Sequence, residues 1–149
     1  MKKFTLLLLA IIIGLPMVAV ADSSINLTPV PMKMTVGNGK LVLPDKFTIA
    51  AIDIDDEMVT EAKKFGKLFA EVSGYSVSVA NENDALITMR RYEGNEELGN
   101  EGYTLDITAD GIAITANSAT GFYYAFQSIK KMLPANAAVV YGIRVKISI

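Results

Sequence analysis

The sequence predicts an α+β fold: a mainly antiparallel β-sheet with two amphipathic helices packed on one face. Three observations lead there. Apolar residues recur at helical spacing in two stretches, Met58, Ala62, Phe65, Phe69 and Val72, then Phe122, Ala125, Phe126, Ile129, Met132 and Leu133. Short runs between and around them alternate with a period of two, which is the pattern of half-buried strands. Two of those runs flank Asp110-Gly111, a strong hairpin signal.

Residues 1–21 stand apart from the fold. Lys2 and Lys3 begin a run that is almost wholly apolar from Phe4 to Val20, and Ala19-Val20-Ala21 is a small-x-small site ahead of Asp22. This is the pattern of a secretory signal peptide, with cleavage expected after Ala21. The run is short for a membrane anchor and contains Gly14 and Pro16. No cysteine follows it, so the chain shows no lipoprotein signature. The expectation is an exported chain, periplasmic or extracellular, with 22–149 as a single domain and no membrane association after cleavage.

Without Lys2 and Lys3 the chain carries 12 basic against 16 acidic side chains, a net charge of −4. Such a surface offers no basic footprint for nucleic acid. The chain has no cysteine, so disulfides do not staple it, and no histidine, which removes Ser-His-Asp and Cys-His catalysis and the usual transition-metal ligands. Its core must be apolar packing.

The segment Ile25–Leu43 holds Pro29 and Pro31, then MKMTV, Gly37-Asn38-Gly39 and KLVL, and reads as an edge hairpin with its prolines at the margin. Phe47–Ile54 is β-rich. Asp55-Asp56-Glu57 then supplies a cap and first-turn negative charge for a helix from about Asp56 to Ser73, which Gly74 stops. SVSVAN and ALITMR are two further strands joined through Asn81–Asp84. The polar stretch from Arg90 to Gly102 holds Glu93, Glu96, Glu97 and Glu101, without the alternating acidic spacing of a calcium loop.

In the stretch 101–133, Tyr103, Leu105 and Ile107 form one face of a strand, and Ile112 and Ile114 continue it after Asp110-Gly111. A two-residue loop there sets Ala109 opposite Ile112, Ile107 opposite Ile114 and Leu105 opposite Ala116. Asn117 or Ser118 caps the helix that follows, and Pro134 ends it. Val139–Ile149 again alternates like a strand.

The hairpin followed by Gly121-Phe122-Tyr123-Tyr124-Ala125-Phe126-Gln127-Ser128-Ile129 resembles the end of the small α/β domain that precedes the catalytic barrel in family 20 glycoside hydrolases, the β-N-acetylhexosaminidases. The opening LTPVPMKMTVGNGKLVL is similar to the start of that domain, where a proline pair leads into a strand, a glycine-containing turn and another strand. The resemblance implies a non-catalytic accessory domain whose partner is a barrel. In the full enzyme it implies removal of terminal N-acetylhexosamine from glycans, with the substrate's acetamido group as nucleophile and an Asp-Glu pair assisting. That pair lies in the family's barrel, within a motif absent from 22–149. Asp56 and Glu57 are therefore read as a helix start. No residue is assigned a catalytic, cofactor-binding or metal-ligating role. The family's Pro-Arg-Phe-like junction into the barrel does not appear after Val139, so the expectation is a chain parted from its barrel, by truncation or frame shift or as a short paralogue.

Two other readings compete. One is the similar domain that precedes barrels in α-glucuronidases, which fold does not separate from the first. The other is a free-standing periplasmic carbohydrate-binding or scaffold protein. A sugar platform needs exposed aromatic rings, whereas the chain has no tryptophan and Phe65, Phe69, Phe122 and Phe126 fall on core stripes.

Overall fold

The computed structural model describes residues 27, 31–36, 39–82, 84–92, 98–133 and 139–142. The elements run β1 (Gly39–Val42), β2 (Lys46–Ile52), α1 (Asp56–Ser73), β3 (Ser76–Ala80), β4 (Ile87–Arg91), β5 (Tyr103–Ile107), β6 (Ile112–Ala116), α2 (Ala119–Met132) and β7 (Val139–Gly142). A five-stranded sheet has the order β3-β2-β4-β6-β5, and β1 pairs with β7 in a separate two-stranded ladder. The α+β architecture and the two helices on one face are as the sequence implies.

The strand directions are not. β2 is parallel to β3 and to β4, and β4 is parallel to β6, leaving β5–β6 as the antiparallel pair of the main sheet. The cause is placement. α1 returns the chain to the start of the sheet, so β3 must run with β2. The short link after β3 suggests a hairpin, but β2 lies between β3 and β4, so the two are not neighbours.

Register across the sheet sorts the side chains. Phe47, Ile49, Ile87, Met89, Ile112, Ile114, Leu105 and Ile107 share the helix side and are almost fully buried. The opposite side is more polar, with Thr48, Ser78, Thr88 and Thr115 beside the buried Ala50 and Ile52, and Thr48 and Ser78 are hydrogen-bonded at 3.0 Å. On the helix side, Phe47 and Phe69 meet edge-on at 5.6 Å, and Phe65 stacks on Phe126 with centroids 4.3 Å apart at 16°. Both helices follow strands of the same direction, so they lie side by side and parallel.

α1 has the bounds its pattern predicts, and Gly74 ends it in the left-handed region at φ 74°. Asp55 occupies the N-cap position but makes no side-chain cap. Its carboxylate instead accepts from the Arg91 guanidinium, tying the end of β4 to the start of α1. Val72, placed on the inward stripe by spacing, is 80% exposed, because the last turn of α1 runs past the apolar cover of its neighbours.

The hairpin loop is Thr108–Gly111 rather than Asp110-Gly111 alone. Observed partners are Ile107–Ile112, Leu105–Ile114 and Tyr103–Ala116, two residues away from the register of a two-residue loop. Two local bonds favour the longer turn: the Asp110 amide donates to Thr108 Oγ1 at 3.2 Å, and the Thr108 amide donates to the Gly111 carbonyl at 2.9 Å. A two-residue slip preserves face, so Tyr103, Leu105, Ile107, Ile112, Ile114 and Ala116 stay on the core side, while Ala109 moves into the loop and is exposed.

The edge hairpin expected before residue 43 is absent among the described residues: 31–36 form no strand, and β1 takes β7 as its partner. Leu41 and Leu43 still enter the core. Residues 1–26, 134–138 and 143–149 lie outside the described residues, and with them the signal segment, Pro134 and the end of the tail.

Candidate functional site

The candidate site is the outer surface of the helix pair. Parallel packing leaves a groove between α1 and α2, floored by the buried Phe65 and Phe126 and flanked by Leu68, Tyr123, Gln127 and Lys130. The volume of this half-open groove is about 110 Å³. Leu68 and Tyr123, 40% and 45% exposed, flank the stacked pair of rings. Towards the helix N-termini the groove opens into a shallow hollow of about 280 Å³ lined by Glu57, Glu61, Lys64, Ala119, Thr120 and Tyr123. Glu61 is held by Lys64 at 2.7 Å. The groove thus has an acidic end, an apolar middle and a basic end at Lys130, which suits a macromolecular surface better than a small molecule.

Glycine sets the spacing of this layer. A Cβ on Gly121 would lie 2.6 Å from the Gly102 carbonyl oxygen and 2.9 Å from Ala116 Cβ, and one on Gly102 would lie 1.9 Å from the Leu98 carbonyl oxygen. The start of α2 therefore rests directly on the 98–102 turn. Ser118 Oγ fixes that contact by donating to the Asn100 carbonyl while accepting from the Gly121 amide at 3.2 Å. Of the two cap candidates, Ser118 does the capping. Asn117 reaches the Gly99 carbonyl at 3.4 Å instead.

Tyr103 and Ser128 share a hydrogen bond of 2.6 Å between β5 and α2. Burial pushes the Tyr103 hydroxyl above its ordinary value, and the bond to Ser128 offsets part of that. With the folded value raised, the unfolded chain ionises first, so this contribution is complete below pH about 10 and is lost as pH rises through the folded value. Urea unfolding between pH 9 and 11 should show stability falling with pH, and Tyr103→Phe should flatten that slope while costing about 1 kcal/mol at pH 7. An unchanged slope in the variant would assign the effect to another group.

Asp56 and Glu57 stand in the first turn of α1 with exposed side chains, as a helix start requires. Glu93, Glu96 and Glu97 lie outside the described residues, and Glu101 is exposed. Among the described residues no group of three or more Asp and Glu side chains is gathered as a metal site. No helix of the described residues is long and apolar enough to cross a membrane. Reading the sequence missed the groove because its floor residues share the core stripes; the signal was Tyr123 and Leu68, apolar residues one step off those stripes.

A family model described as glycosyl hydrolase family 20, domain 2, matches residues 24–146. The β-hexosaminidase of Porphyromonas gingivalis is 28% identical over 120 residues, which is 76% of this chain and 15% of that protein. The N,N'-diacetylchitobiase of Vibrio harveyi is 30% identical over 112 residues, 74% of this chain and 12% of that protein. The chain therefore spans about an eighth to a seventh of these curated relatives. Among solved structures, the N-acetyl-β-hexosaminidase of Streptomyces plicatus superimposes with a TM-score of 0.71 at 24% identity, over 80% of this chain and 25% of that one, a likeness of fold.

Proposed function

Because this chain belongs to the domain 2 family of glycosyl hydrolase family 20, we propose that it serves as the non-catalytic accessory domain of an exported β-N-acetylhexosaminidase acting on terminal N-acetylhexosamine residues. Its partner is a catalytic barrel, and the glycan is met through that barrel. The observation that carries the reading is the α1–α2 groove, where exposed Leu68 and Tyr123 over the Phe65–Phe126 stack make an apolar seat for another domain. The two curated relatives are named for N-acetylhexosamine chemistry, which favours this reading over an α-glucuronidase domain.

The test is reconstitution. A family 20 barrel stripped of its own domain 2 should capture the tagged chain, and the pair Leu68→Asp with Tyr123→Asp should weaken capture at least tenfold, about 1.4 kcal/mol. The chain alone should not turn over a chromogenic N-acetylglucosaminide, while the barrel should. Turnover by the chain alone, abolished by Glu57→Gln, would overturn the accessory reading. Export belongs to the same proposal: N-terminal sequencing of secreted material should begin at Asp22, and a retained apolar segment would point to an anchor.

A further inference from the structure

We propose that the outer edge of β3 is a self-association site, pairing antiparallel with β3 of a second copy so that one sheet continues through a two-fold axis at Ser78. β3 closes one end of the five-stranded sheet, and among the described residues no strand adjoins its outer side. Such an edge presents backbone donors and acceptors ready to pair. The opposite edge strand, β5, carries the exposed charge of Asp106 near its middle, the kind of residue that guards an edge. β3 reads Ser76-Val77-Ser78-Val79-Ala80, with no charge, no proline and an unbroken ladder to β2.

The sequence of this edge is also complementary to itself. Antiparallel pairing centred on Ser78 sets Val77 against Val79 of the partner subunit on the helix side, and Ser78 against its own copy on the polar side. Both valines are half-buried in one copy, and the pairing covers them. The serines are short and neutral, so nothing repels at the axis. α1 approaches β3 from the helix side, where a Cβ on Gly66 would lie 3.1 Å from Val77 Cγ1, and leaves the edge in the plane of the sheet. The edge shares no residue with the lining of the α1–α2 groove.

The chain has no cysteine, so Ser78→Cys introduces a single thiol. The unmodified chain should sediment as a dimer at about 100 µM, and mild oxidation should convert most of the Ser78→Cys protein to a disulfide dimer while Thr104→Cys on β5 stays uncross-linked. Ser78→Lys opposes two ammonium groups at the axis and should raise the dimer dissociation constant at least tenfold without moving the monomer's far-UV spectrum. A chain that sediments as a monomer, or Thr104→Cys cross-linking as fast as Ser78→Cys, would overturn the proposal. Neither result bears on barrel capture, so this inference and the accessory reading fail separately.

Discussion

Phe126→Ala is expected to leave the domain marginal or unfolded, at a cost of roughly 3–5 kcal/mol. Phe126 is 2% exposed, stacks on Phe65 at 4.3 Å and lies where α2 meets α1 above the sheet. Truncation removes the shared ring contact and opens a void between elements that were far apart in sequence. A domain of this size has about 5–15 kcal/mol in total, so the loss is a large fraction of it. Lys130→Ala, on the exposed side of the same helix, should stay within about 0.5 kcal/mol. Urea denaturation of both variants decides the matter. A Phe126→Ala protein that unfolds like the parent would show that this ring belongs to an interface and not to the core.

Gly121→Ala is expected to destabilise by about 1–3 kcal/mol, although alanine is the better helix former. The reason is space: the added methyl meets the Gly102 carbonyl oxygen at 2.6 Å and Ala116 Cβ at 2.9 Å, and neither is the end of a flexible side chain. α2 must lift from the 98–102 turn, which also stretches the Ser118 cap. Thermal melting of Gly121→Ala beside Ala119→Gly separates the two effects, since the second tests propensity near the same helix start. A stabilised Gly121→Ala would mean that the turn yields freely.

The elements themselves were legible because their signals are local. The stripe of α1, its stop at Gly74 and the inward face of β5 and β6 follow from spacing alone. Directions and partners were not, since they depend on what lies between: nothing in SVSVAN or ALITMR says that β2 will separate them. β1 illustrates the same limit, because Gly37-Asn38-Gly39 invites a local hairpin whereas the strand pairs with β7, about a hundred residues on. The hairpin register turned on Thr108, whose hydroxyl takes the Asp110 amide and lengthens the loop. For the site, Gly121, the aromatic pair that follows it and Gln127 carried the family resemblance as letters. Only the close approach of α2 to Gly102, and the exposure of Tyr123 above the Phe65–Phe126 stack, give those letters a physical role.

Amide chemical-shift mapping of the chain titrated with a family 20 catalytic barrel, lacking its own domain 2, tests whether the α1–α2 groove seats the barrel. Shifts are expected to gather around Leu68, Tyr123, Gln127 and Lys130 along the α1–α2 groove, with Thr48, Thr88 and Thr115 on the opposite side of the sheet unmoved. Shifts gathered on that opposite side, or no shifts with the barrel in tenfold excess over the chain, would contradict barrel docking in the groove.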